Sequence, residues 1–169
     1  MKELLPSMAG EFTIGVPGLG TFVKKNTMVQ AGALAFLQTL FQNGTVIPSS
    51  FWLGVCSLPY DFSTTLADVA ATEPTAGGYA RIEFPRDSTN WTADLVGNAY
   101  RMRSVSKNFT ATDDWNKTWT QMFLCDVAAG TSGKLYAISG PLSTPVQTLK
   151  NVPPPGRYTY YIRGLGSEA

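Results

Sequence analysis

Gln121-Met122-Phe123-Leu124-Cys125 and Lys134-Leu135-Tyr136-Ala137-Ile138 are short apolar runs rich in strand formers. Between them lies Asp126-Val127-Ala128-Ala129-Gly130-Thr131-Ser132-Gly133, small and turn-rich, and Ser139-Gly140-Pro141 stops the second run. The pattern predicts a β-hairpin. It sets a two-residue periodicity for the C-terminal half, and its residues carry no catalytic chemistry.

Further runs of the same kind follow the chain. Phe51–Cys56 reads as a buried strand. In 79–84, Ala80, Ile82 and Phe84 fall on one face and Arg81 and Glu83 on the other. Weaker strands are predicted over 98–105, 106–112 and 145–149, and a last aromatic one over 158–163. Spacings of roughly 8–15 residues between short strands predict an antiparallel β-sandwich or jelly roll. One helix is expected over 27–42, with Met28, Ala31, Leu34, Ala35, Leu37 and Phe41 on an apolar face. Asn26 or Thr27 is its expected N-cap and Asn43-Gly44 its stop. A short helical turn is expected over 65–71.

Residues 1–25 are punctuated by Gly15, Pro17, Gly18 and Gly20 yet remain apolar. They read as an extended N-terminal arm lying on a neighbour or on the chain's own domain. The predicted organisation is therefore an arm over 1–25 and a helix plus β-sandwich domain over 26–169. Phe12, Ile14, Val16, Leu19, Phe22 and Val23 are the expected assembly contacts of the arm.

Composition narrows the chemistry. The chain has 169 residues, of which 44% are hydrophobic, a globular composition. It has no histidine and a net charge of +1. A nucleic-acid partner is not expected from so small a field. No apolar run approaches the roughly 20 residues that span a bilayer, so no membrane partner is expected. Only 15% of residues are charged, which suits a surface rich in Ser and Thr, one covered by partners, or both.

No catalytic residues, cofactor or metal site are predicted. The usual general base, histidine, is missing. Asp113-Asp114 is the only adjacent acidic pair, and before Trp115 it reads as a turn signal. Gly15-x-x-Gly18-x-Gly20 has the wrong spacing for a dinucleotide loop. Cys56 and Cys125 read as buried thiols, and their separation is left open. Trp52, Trp91, Trp115 and Trp119 have two readings, packing in a core or interface or a glycan-stacking platform, and Trp115 and Trp119 sit four apart.

Glu73-Pro74-Thr75-Ala76-Gly77-Gly78-Tyr79-Ala80-Arg81 resembles a stretch, acidic-x-x-x-Gly-Gly-Tyr-Ala-Arg, carried by small structural proteins of tailed bacteriophages. The strand Phe51–Val55 before it, the hairpin 123–142 after it and Leu142-Ser143-Thr144-Pro145 resemble the same group in order and spacing. The resemblance covers about residues 30–165. It implies a virion component assembled in the host cytoplasm, most simply a jelly-roll capsid cement or decoration protein. Its partners would then be other virion proteins, with a homo-oligomer, a trimer for instance, as the expected state. A tail, baseplate or fibre component is the alternative, with Trp115 and Trp119 on a glycan-contacting face. The chain departs from the group in its N-terminal extension and in the Pro153–Pro155 corner.

Overall fold

The computed structural model describes residues 8–42, 46–97 and 99–163. The elements in chain order are β1 (Met8–Val16), β2 (Gly20–Met28), α1 (Gln30–Phe41), β3 (Ser50–Cys56), α2 (Leu66–Ala70), β4 (Ile82–Pro85), β5 (Trp91–Val96), β6 (Ala99–Ser104), β7 (Lys107–Asn108), β8 (Gln121–Cys125), β9 (Leu135–Ser139) and β10 (Pro155–Arg163). The fold is mainly β. One antiparallel sheet runs in the order β4-β3-β8-β9-β2-β1-β10-β6-β5, with β7 beside β10, and it nearly closes into a barrel.

The expected arm is where sequence and structure part. Residues 1–7 lie outside the described residues, but 8–28 form a hairpin at the centre of the sheet. Strand β1 pairs with β2 on one side and with β10 on the other, as in Phe12 opposite Lys24 and Tyr158. The expected boundary at 25/26 falls inside β2, whose end pairs with β9 at Asn26 opposite Ser139. The reason is a period of two: Phe12, Ile14 and Val16 are buried while Glu11, Thr13 and Gly15 alternate with them. The glycines that suggested a loose tail make the tight turn instead, with Gly18 and Gly20 at φ +79° and +96°. Three of the six expected assembly contacts, Phe12, Ile14 and Val16, are therefore core residues of their own barrel.

The hairpin of β8 and β9 forms as the sequence predicts, with Phe123 opposite Ile138. All five β8 residues are buried because both faces of this strand are covered. Met122 and Leu124 join the barrel interior with Leu53, Val55, Phe84, Trp119 and Tyr158. Phe123 and Cys125 face the other way, into a second cluster with Leu66 and Val69 of α2. Helix α2 is held by a capping box in which Thr65 and Asp68 satisfy each other's backbone donors.

Helix α1 starts later than expected, after Val29, and no side chain caps it. Neighbouring carbonyls take its first donors: Phe62 O accepts from the Gln30 N–H at 2.8 Å. Asn26 is committed elsewhere, donating its amide to the Tyr158 hydroxyl at 2.9 Å. The expected stop at Asn43-Gly44 lies outside the described residues. The helix packs against β9 through Gly32, where a Cβ would sit 2.3 Å from the Tyr136 carbonyl oxygen. Gly32 and Ala35 are buried, whereas Ala31, Leu34, Leu37 and Phe41 point away from the barrel.

Other predictions shift in detail. The 79–84 strand shortens to Ile82–Pro85, and 106–112 shrinks to two paired residues. The 145–149 strand is a single bridge between Val146 and Trp119. Trp91–Val96, outside the predicted strands, is strand β5. Deleting residues 8–28 would remove the central pair of the sheet. The truncated chain should lose cooperative urea unfolding monitored by tryptophan fluorescence; a truncated chain that unfolds as sharply as the parent would contradict this assignment.

Candidate functional site

Two places gather chemistry, and the first is a buried polar clamp. Glu73 lies at the end of the α2 connection, and Tyr79 and Arg81 lie just before β4. Glu73 Oε1 accepts from the Tyr79 hydroxyl at 2.7 Å and from Arg81 Nε at 2.9 Å. Its Oε2 accepts from Arg81 NH2 at 2.6 Å, completing a bidentate pair. Arg81 also donates to the carbonyls of Val127 at 3.1 Å and Gly130 at 3.0 Å, in the loop between β8 and β9. The Val55 N–H in β3 donates to the Tyr79 hydroxyl at 3.1 Å.

Local backbone geometry makes this clamp possible. Gly77 and Gly78 have φ of +72° and +76°, where a side chain would be strained. A Cβ on Gly77 would also lie 2.5 Å from the Asp114 carbonyl oxygen. The turn throws Tyr79 inward, where its ring meets Trp115 edge-on at 4.9 Å and stacks on Phe109 at 6.0 Å. The Glu-x-x-x-Gly-Gly-Tyr-Ala-Arg stretch is thus a structural lock.

The second place is a cavity of about 690 Å³ between α1 and the sheet. Phe36 and Thr39 of α1 form one wall with Ile47 and Pro48 beyond it. Trp91 and Ala93 of β5, Met102 of β6, and Tyr158 and Tyr160 of β10 form the opposite wall. Ala93, Met102 and Tyr160 share one row across three strands. Phe51 closes the floor, its ring 5.2 Å from Tyr136 and 6.0 Å from Trp91. Arg86, Asp87 and Ser88 stand at the mouth.

The lining of the cavity is predominantly apolar. The Tyr136 phenol is pushed up to about 12, first by burial and then by the Asp126 carboxylate. Burial likewise raises Tyr158 and Tyr160, so all three wall phenols are protonated at neutral pH. Asp87 spends its carboxylate on the backbone N–H groups of Thr89 and Asn90 and on the Asn90 amide. The Trp91 indole N–H and the Tyr160 hydroxyl are buried without a hydrogen-bond partner.

The expected site residues scatter. Trp115 and Trp119 are 1% and 0% exposed. Their indole N–H groups donate to the Thr110 carbonyl at 3.1 Å and the Thr148 hydroxyl at 3.0 Å. Neither can stack on a glycan, so the packing reading is the one that holds. Leu19 and Val23 are exposed, and Phe22 packs partly against the barrel core. Leu19 and Phe22 line a small groove beside Leu142, Ser143 and Thr144. The Asp113 and Asp114 carboxylates accept backbone N–H groups of Asp114 and Lys150. Among the described residues no cluster of acidic, cysteine or histidine side chains could hold a metal. Arg101 pairs with Asp94 across β5 and β6.

Cys125 stands opposite Trp52, and Cys56 opposite Gln121, on the same pair of strands. Four residues of ladder, about 13 Å, separate them, beyond the reach of a disulfide. Both thiols are free and buried.

Phe36 and Tyr160 are not among the expected site residues, and Trp91 is there only as one of four tryptophans with a packing or glycan-stacking reading. The alternation of Trp91 with Ala93 and of Tyr158 with Tyr160 was the available signal. It identifies inward faces, but nothing local says that a cavity lies between them. The sequence matches no protein-family model and no curated protein sequence.

Glu73→Gln should destabilise the fold by about 3–5 kcal/mol in urea denaturation, since it leaves Arg81 buried and unpaired. Glu73→Met with Arg81→Met should cost less than the two single changes added together; strict additivity would refute the coupling. Burial raises the Cys125 thiol to about 11 and Cys56 well above its ordinary value. The native state keeps these protons while unfolded thiols lose theirs, so stability should fall as pH rises from about 9 to about 11. Ellman's reagent at about pH 8 should label neither thiol until the protein unfolds; rapid labelling of the native chain would contradict the burial.

Proposed function

We propose that the protein is a structural component of a tailed-phage virion, a capsid cement or decoration subunit that stabilises the shell through subunit contacts. The single observation that carries this reading is the apolar face left uncovered on α1. Leu34, Leu37 and Phe41 are 55%, 53% and 79% exposed, and Val46 and Ile47 beyond the helix are exposed with them. Residues at i, i+3 and i+7 form one stripe, which a protein working alone would turn inward.

The resemblance around Gly77–Arg81 supports the same reading, because those residues brace a fold and leave no reacting group exposed. The jelly roll that the resemblance implies is compatible with the antiparallel, nearly closed barrel. The arm plays no part. Contact falls to the α1 stripe and to the exposed Leu19 and Val23 of the β1–β2 hairpin. Covering such faces contributes about 25 cal/mol per Å² before association costs. Symmetric self-association, a trimer for example, is one way to cover the stripe. The tail, baseplate or fibre alternative keeps this surface but loses its glycan platform, since Trp115 and Trp119 are buried.

Quantitative mass spectrometry of purified particles should find the chain at a copy number on the order of the major shell protein's. A handful of copies would move it to the tail, and absence from particles would end the reading. Leu37→Asp with Phe41→Ser should abolish particle association while leaving the circular dichroism and melting temperature unchanged. Full occupancy by that variant would remove the α1 stripe from the interface.

A further inference from the structure

We infer that the cavity between α1 and the β5–β6–β10 wall is a binding site for a small, uncharged, largely apolar molecule that carries hydrogen-bond-accepting oxygen. This goes beyond the assembly reading and does not depend on it. The volume, about 690 Å³, lies in the range of pockets that enclose a drug-sized ligand. The wall is aromatic and aliphatic, which favours a flat or chain-like apolar body.

Two wall residues state the polar part of the ligand. The Trp91 indole N–H and the Tyr160 hydroxyl are both buried and both without a partner. A buried donor left unmade costs free energy, and the large majority of buried side-chain polar atoms in folded proteins find a partner. Trp91 can only donate, and the burial-raised Tyr160 phenol keeps its proton at neutral pH. Both therefore ask for an acceptor. By register their Cα atoms lie about 12 Å apart, two strands across and two residues along, so their long side chains reach into one chamber.

Charge on the ligand is disfavoured. Among the described residues, the charged side chains on the lining are Arg86 and Asp87, adjacent at the mouth and of opposite sign. Arg86 already donates to the Pro48 carbonyl at 3.1 Å, and Asp87 is occupied by Thr89 and Asn90. An ion taken into the aromatic chamber would be desolvated without a counter-charge.

Nile red, a neutral fused-ring dye with a carbonyl acceptor, is a suitable probe. Titrated into the full chain, it should show saturable, one-to-one fluorescence enhancement with a blue shift. Ala93→Trp, which fills the mouth of the chamber, should abolish that binding, whereas Leu37→Ser with Phe41→Ser, on the far face of α1, should leave it intact. Tyr160→Phe should weaken binding about fivefold without lowering the melting temperature of the empty protein, because it removes a hydroxyl that had no partner. Absence of saturable enhancement would overturn the site. So would enhancement that survives Ala93→Trp and disappears with the α1 variant, since the dye would then be reading the exposed stripe. Equal affinity in Tyr160→Phe would overturn the assignment of the acceptor.

Discussion

Everything on one side of this barrel hangs from the ion pair between Glu73 and Arg81. Its two side chains are 9% and 2% exposed, so the carboxylate and guanidinium have given up water almost completely. Such a pair is tolerable only when the remaining donors and acceptors are used. Here they are: Tyr79 and Val55 on one side, and the Val127 and Gly130 carbonyls on the other. The pair thereby ties the long connection after β3 to the loop between β8 and β9. Geometry at Gly77-Gly78 is the condition for it, because the turn delivers Tyr79 and Arg81 to the same carboxylate.

A second constraint is the closing of the sheet by the two ends of the chain. Strand β1 lies between β2 and β10, so the earliest and latest strands pair directly. Phe12 and Tyr158, opposite one another, meet inside the barrel with ring centroids 4.7 Å apart and planes tilted by 58°. On the far side the sheet stops short. Lys107 bridges toward β4, donating to the Glu83 carbonyl at 2.8 Å with its ammonium 5.1 Å from the Phe84 ring. The β5–β6 hairpin continues past that point, and the space between it and α1 is the cavity. The incomplete closure that leaves a chamber also leaves α1 with one face inward and one outward.

The two functional proposals use opposite faces of the same helix. Gly32 and Phe36 turn toward β9 and the chamber, and Leu34, Leu37 and Phe41 turn away. With histidine missing and charged side chains scarce, the chain has little with which to perform acid–base work and much with which to hold apolar surfaces. Assembly and the enclosure of an apolar molecule both draw on that property.

Local pattern was enough for the β8–β9 hairpin, the Ser50–Cys56 strand, the capped turn after Thr65 and the mainly β class, because each depends on neighbours within a few residues. The same alternation was present at Phe12, Ile14 and Val16, yet the surrounding glycines and prolines masked it as an arm. Only pairing with β10, more than a hundred residues away, makes that segment a central strand. Trp91, outside the predicted strands, becomes strand for the same reason, through Ser104 on β6. Trp115 and Trp119 were ambiguous between surface and core, since an isolated tryptophan has no period to read. By itself the amino-acid order determined the periodicities, the turns and the poverty of charge, which are local or additive properties. Which faces ended up covered, where Glu73 and Arg81 met and that a chamber remained under α1 were decided by long-range pairing, because burial belongs to the assembled sheet and not to any one segment of chain.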